Sequence, residues 1–122
     1  TPPCWCIYML GLVLDWLESK GGIPGMEAIK HAKAQMLYEV IDSSRLFTCA
    51  VEKSSRSDMN VVFRTGNDEL DAKFVQEATA AGFTNLKGHR SVGGMRASIY
   101  NAMPTEGVEK LCDFIKAFDR NN

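Results

Sequence analysis

The sequence predicts an α/β domain of the α+β kind, in which a short, mostly antiparallel sheet is covered by helices and preceded by a long leading helix. Three observations predict it. Apolar residues recur at helical spacing in four separate segments. Between those segments lie short runs rich in β-branched and aromatic residues, bounded by glycine or polar clusters. At 122 residues, 45% hydrophobic and 24% charged, the chain fits one globular unit with a core of its own.

Thr1-Pro2-Pro3 followed by "CWCIYMLGLVLDWLESKGG" reads as the leading helix, with Thr1 as its N-cap, proline pre-set for the first turn, and Gly21-Gly22 as its end. Its residues are apolar nearly all round, Trp5, Tyr8 and Trp16 among them as expected core, so several sides need cover. The segment from Met26 to Ile41 places Met26, Ile29, Met36, Leu37, Val40 and Ile41 on one face, with Lys30, Lys33 and Glu39 expected on others. "RLFTCAVE" and "MNVVFRT" read as two strands around the polar "KSSRSD". Asn67-Asp68-Glu69 opens a helix through about Ala81 with Leu70, Phe74, Val75 and Ala78 inward. "TNLKGHRS" and "MRASIYNAM" are two more strands joined at Gly93-Gly94, and Thr105 caps a final helix striped by Val108, Leu111, Cys112, Ile115 and Phe118.

Charge limits the function classes. With 14 Lys+Arg against 15 Asp+Glu, the chain has no positive excess with which to hold a nucleic acid or an anionic membrane, so any anion site is local. The apolar run from Cys4 to Leu14 stops at Asp15, short of the roughly 20 residues a spanning helix needs. No leader pattern is visible, and the start at Thr1 reads as a piece of a longer chain. Cys4, Cys6, Cys49 and Cys112 are expected to be structural thiols, since C-x-C on a helix points its sulfurs about 200° apart; no metal site is expected. There is no P-loop, dinucleotide fingerprint, G-x-S-x-G or H-E-x-x-H. His31, between Lys30 and Lys33, reads as solvated, and Asp68, Glu69 and Asp71 as favourable charge at a helix N-terminus.

The local cation cluster is "GHRSVGGMRASIYNAMP", Gly88 to Pro104. Arg96, Arg90 and His89 surround a glycine pair, and two guanidinium groups held close need anions to offset them; arginine's planar fork matches carboxylate or phosphate. A ligand with two anionic ends fits. His89 and Arg90 are adjacent and would face opposite ways in a regular strand, so a turn at the glycines is needed to aim both at one ligand. The other reading is that the arginines pair with surface carboxylates and His89 is a loop residue. Thr1 is likewise either a plain helix cap or an anion contact at the positive end of the leading helix.

"GHRSVGGMRASIYNAMP", with the opening "TPP" and "IYMLGLVLDWL", strongly resembles the C-terminal part of the phosphoserine aminotransferase family, in order and over essentially the whole chain. The resemblance implies the C-terminal small domain of a fold-type I pyridoxal-phosphate enzyme, cytoplasmic and homodimeric. In that reading residues 1–22 form a helix leading from a cofactor-binding large domain and 23–122 form the small domain. The implied reaction moves an amino group between glutamate and 3-phosphohydroxypyruvate, giving phosphoserine and 2-oxoglutarate for serine biosynthesis. The resemblance assigns Arg96 to the substrate α-carboxylate, His89 and Arg90 to the substrate phosphate, and Thr1 to the cofactor phosphate of the opposite subunit. It assigns no catalytic residue here: none of Lys20, Lys30, Lys33, Lys53, Lys73, Lys87, Lys110 or Lys116 falls in the Schiff-base lysine motif, so the segment alone is expected to be inactive. The alternative class is a non-catalytic module that binds phosphorylated carboxylates or a protein partner.

Overall fold

The computed structural model describes residues 1–122. Its elements are α1 (Cys4–Ser19), α2 (Gly22–Ser43), a 3-10 turn at Lys53–Ser55, β1 (Asn60–Phe63), α3 (Asp68–Ala80), β2 (Met95–Ser98) and α4 (Thr105–Asn121). The expected class and element order hold, with a smaller sheet. β1 and β2 pair antiparallel with Val62 opposite Arg96, and two of the four expected strands contract to single bridges, Thr48 to Arg64 and Lys87 to Met95. These bridges flank the pair, so the main chain crosses the sheet in the order Thr48, β1, β2, Lys87. The contraction has a local cause: the segment before β1 is drawn off by side-chain caps, Ser44 Oγ and Asp119 taking the N–H groups of Leu46 and Phe47 that a ladder would use.

The core lies on one face of the ribbon. Val61, Phe63, Met95 and Ala97 point into it, where they meet Leu37 and Ile41 of α2, Phe74 and Ala78 of α3, and Val108, Leu111, Ile115 and Phe118 of α4. Phe74 is its hub, with ring centroids 5.1 to 5.8 Å from Phe47, Phe63, Phe114 and Phe118 at steep interplanar angles. Such edge-to-face geometry suits the aromatic quadrupoles and adds to the burial of apolar area. Asn67 caps α3 as expected, accepting from the N–H groups of Glu69 and Leu70. Cys112 is buried and its thiol is pushed up to about 11 by desolvation, which keeps it protonated and inert; no disulfide forms.

Several expectations are corrected. Thr1 and Thr105 cap nothing: Pro3 and Pro104 occupy the N-cap positions, and neither helix has a side-chain cap bond. α2 begins at Gly22, four residues before Met26, and its Ile29 is exposed while Lys33 is fully buried. α1 buries none of its residues. Trp5 is 70% and Tyr8 60% exposed, and only Trp16 and Leu17 are half-buried, because the rest of the chain covers just one edge of this helix. No helix is long and apolar enough to cross a membrane.

Replacing Phe74 by Ala should lower unfolding stability by about 3–5 kcal/mol, read from the urea midpoint, because four aromatic neighbours cannot collapse into the vacated space together. Asp119 sets a pH dependence. Burial alone would raise its carboxyl, but N–H bonds from Leu46 and Arg45 and the Ser44 hydroxyl outweigh that and hold it below the usual range. A depressed folded value gives stability that is present above the unfolded carboxylate value, about 3.9, and is lost as pH falls through the folded one. Asp119→Asn should therefore be less stable than the parent at pH 6, and the gap should close between pH 5 and pH 2 in thermal melts.

Candidate functional site

The cation cluster is organised by a tight hairpin. Gly88 N–H donates to Gly94 O at 2.8 Å, and the N–H groups of Gly93 and Val92 donate to His89 O at 2.8 and 2.9 Å, which folds His89–Gly94 into a closed turn ahead of β2. Glycine is required at both ends. A Cβ on Gly88 would stand 2.1 Å from Gly93 O, while Gly94 has φ +62° and a Cβ there would press on Phe63 O at 2.8 Å. The turn that the sequence demanded for aiming adjacent residues is thus present, built by backbone contact that no larger side chain allows.

On this turn His89 and Arg90 are exposed, and together with Lys87 they line one cavity of about 540 Å³ closed on its other side by Asp68, Asp71, Val75 and Gln76 of α3. Two groups converge on His89 Nδ1, the Ser91 hydroxyl at 2.6 Å and the Ser91 N–H at 3.3 Å. An N–H can only donate, so Nδ1 is the acceptor and the neutral ring carries its proton on Nε2, leaving that N–H free to donate outward.

Arg96 lies elsewhere on the same ribbon. Its main-chain N–H bonds Leu86 O at 2.8 Å, and strand alternation puts its side chain on the face opposite the core, beside Val62 and the Ser98–Asn60 side-chain bond. Its Nε is buried without a partner, and neither Arg90 nor Arg96 makes an ion pair, so both retain guanidinium donors for a ligand. The reading in which surface carboxylates occupy them has no support in these contacts. The cavity that gathers His89 and Arg90 is not lined by Arg96.

Thr1 is exposed at the head of α1. Pro2 and Pro3 have no N–H, yet Trp5 and Cys6 N–H lack main-chain partners there, so the Thr1 hydroxyl and two amides at the positive end of a sixteen-residue helix could hold a phosphate group. His31 is exposed as expected, although its Nδ1 sits 3.2 Å from Asp58. Asp71 stands in the first turn of α3 as expected, but sequence reasoning did not find that it is buried. It is 6% exposed, its Oδ1 accepts from Thr65 N–H and Oγ1 at 2.8 and 2.7 Å, and its Oδ2 has no partner. Its spacing of three from Phe74 and seven from Ala78 was the available signal.

Comparison with known proteins gives one answer. The family model for aminotransferase class-V matches residues 1–111. The phosphoserine aminotransferase of Lactiplantibacillus plantarum is 54% identical over 122 residues, all of this chain and 34% of the relative. That of Listeria monocytogenes serotype 4b is 55% identical over 118 residues, 97% of this chain and 32% of the relative. Among solved structures, phosphoserine aminotransferase from Bacillus circulans subsp. alkalophilus superposes with a TM-score of 0.96 at 47% identity, covering 99% of this chain and 34% of that one. The pyridoxal-phosphate-bound enzyme from Trichomonas vaginalis gives 0.89 at 41% identity, covering 95% and 34%. The chain spans about a third of the length of these relatives. With a family model matched over residues 1–111 and a fold that superposes on solved members along nearly its whole length, this chain belongs to the class-V aminotransferase family.

Proposed function

We propose that the chain is the substrate-end-binding segment of a phosphoserine aminotransferase, which exchanges an amino group between glutamate and 3-phosphohydroxypyruvate in the cytoplasm as a step of serine biosynthesis. The observation that carries the reading is a pair of guanidinium groups without ion-pair partners, Arg90 and Arg96, displayed on a glycine-built hairpin in an otherwise balanced chain. A phosphorylated keto acid carries a carboxylate and a phosphate on one short skeleton. Separate cation sites fix both its orientation and its reach.

Arg96 takes the α-carboxylate common to both substrates, and its guanidinium, which no carboxylate of this chain occupies, can meet that carboxylate with a planar two-donor fork. His89, donating from Nε2, and Arg90 take the phosphate, with Lys87 adding positive potential at the cavity wall. Glutamate uses the same sites, its side-chain carboxylate replacing the phosphate. Thr1 and the free amides of Trp5 and Cys6 fit the phosphate of pyridoxal 5'-phosphate. That cofactor, when bound, supplies the electron sink through which the amino group is transferred. Residues 1–22 lead from a large cofactor-binding domain and residues 23–122 form the small domain, so the exposed apolar faces of α1 are the surface that the large domain covers.

In the complete enzyme Arg96→Ala should impair both half-reactions, since truncating one member of a desolvated charge pair costs about 2–5 kcal/mol, roughly 30- to 4,000-fold in kcat/KM. Equal kinetics for variant and parent would reject the assignment. Arg90→Ala should penalise the phosphorylated substrate more than glutamate, because a dianion loses more attraction than a monoanion does. The opposite ranking in steady-state kinetics would count against the phosphate role.

A further inference from the structure

Lys33 is a charged residue with none of its side chain in water. The residue is 0% exposed in the middle of α2, and no carboxylate pairs with it. Its ammonium reaches the loop between β2 and α4 instead, donating to Tyr100 O at 2.8 Å, Met103 O at 2.9 Å and Asn101 O at 3.4 Å. Three donors meet three main-chain carbonyls of one short loop, so the group is fully satisfied. Burial lowers its proton affinity, which reflects the cost of holding a cation without a counter-charge. An apolar side chain of the same length would fill the space without that cost.

The position of the loop explains what is gained. β2 is only four residues long, and Arg96 stands within it. Its leading end is fixed by the Gly88–Gly94 contact and its trailing end by Ile99 N–H on Met59 O at 2.9 Å, after which the chain enters the carbonyls that Lys33 gathers. The same loop, through Tyr100, Asn101 and Ala102, shares a groove with Leu12, Val13, Trp16 and Leu17 of α1. One ammonium therefore ties α2 to the exit of β2 and to the seat of the helix that carries Thr1 at its head.

We propose that Lys33 is a positioning residue for Arg96: by clamping the main chain of Tyr100–Met103 it fixes the direction of β2 and the seat of α1, and so the place at which Arg96 meets the substrate carboxylate. The role rests on the reading of Arg96 given above. Lys33 touches no substrate and acts through the strand.

The test uses the complete enzyme that contains this chain, with Lys33→Met, which keeps length and loses every donor, and Lys33→Gln, which keeps some. Steady-state constants for glutamate and for the phosphorylated keto acid are measured in each, alone and combined with Arg96→Ala, and amide hydrogen exchange is followed by mass spectrometry. Lys33→Met should raise KM for both substrates together by roughly tenfold with kcat changed less than about threefold, and in the Arg96→Ala background it should add less than about twofold, the non-additivity of residues acting as a unit. Exchange should quicken at residues 99–103 and not in α4, with Lys33→Gln intermediate. If Lys33→Met does not fold, Lys33→Gln carries the same cycle. A penalty that persists undiminished in the Arg96→Ala background, or unchanged exchange at residues 99–103, overturns the proposal. Parental kinetics for Arg96→Ala alone would instead overturn the carboxylate reading on which it rests.

Discussion

The close approach of Gly88 to Gly93 and Gly94 is the contact on which the site depends. Where a Cβ would lie 2.1 Å from a carbonyl oxygen, only hydrogen fits, and the resulting turn converts a linear string of cations into two displays. His89 and Arg90 sit on the turn, and Arg96 sits two residues into the strand that follows Gly94. The strand in turn holds its place by pairing with β1 on one side and bonding Leu86 on the other. A residue on a strand fixed from both sides is held more closely than one on a free loop, which suits the carboxylate contact proposed for Arg96.

Electrostatics here is local rather than global. The formal charge is −1, yet the arginines of the hairpin region escape pairing while Arg56 is taken bidentately by Asp42, and Arg64 lies within 3.6 Å of Asp68. The difference follows from neighbours. Arg56 meets Asp42 of α2, whereas Arg90 on the hairpin has no carboxylate within ion-pair distance. The cavity wall across from it does contain Asp68 and Asp71, but Asp71 is committed through Oδ1 to Thr65 at the end of β1, so it braces α3 against the sheet.

The leading helix shows the same division between a folded unit and its surroundings. Its sequence is apolar on nearly every face, and this chain covers only the edge at Trp16 and Leu17. Large exposed apolar area of that kind marks a surface made for contact. By contrast α4, with a single apolar stripe, is fully accommodated against α2 and the sheet.

Composition, periodicity and turn chemistry by themselves determined the helices, their order, the antiparallel ribbon, the aromatic core positions and the cluster of His89, Arg90 and Arg96 around glycines. They also announced that α1 needed cover. What only the tertiary structure decided was which polar residues go inside. Lys33 follows Met26 by seven positions and precedes Leu37 by four, and Asp71 precedes Phe74 by three, so both lie on apolar stripes. Residue type argued against the spacing, and the spacing prevailed. Burying a charged group is unfavourable until specific partners arrive, and those partners, the carbonyls of residues 100–103 for Lys33 and the amide and hydroxyl of Thr65 for Asp71, are brought there by the fold. For Lys33 they come from 67 to 70 positions away in the chain, a distance over which no local pattern carries information.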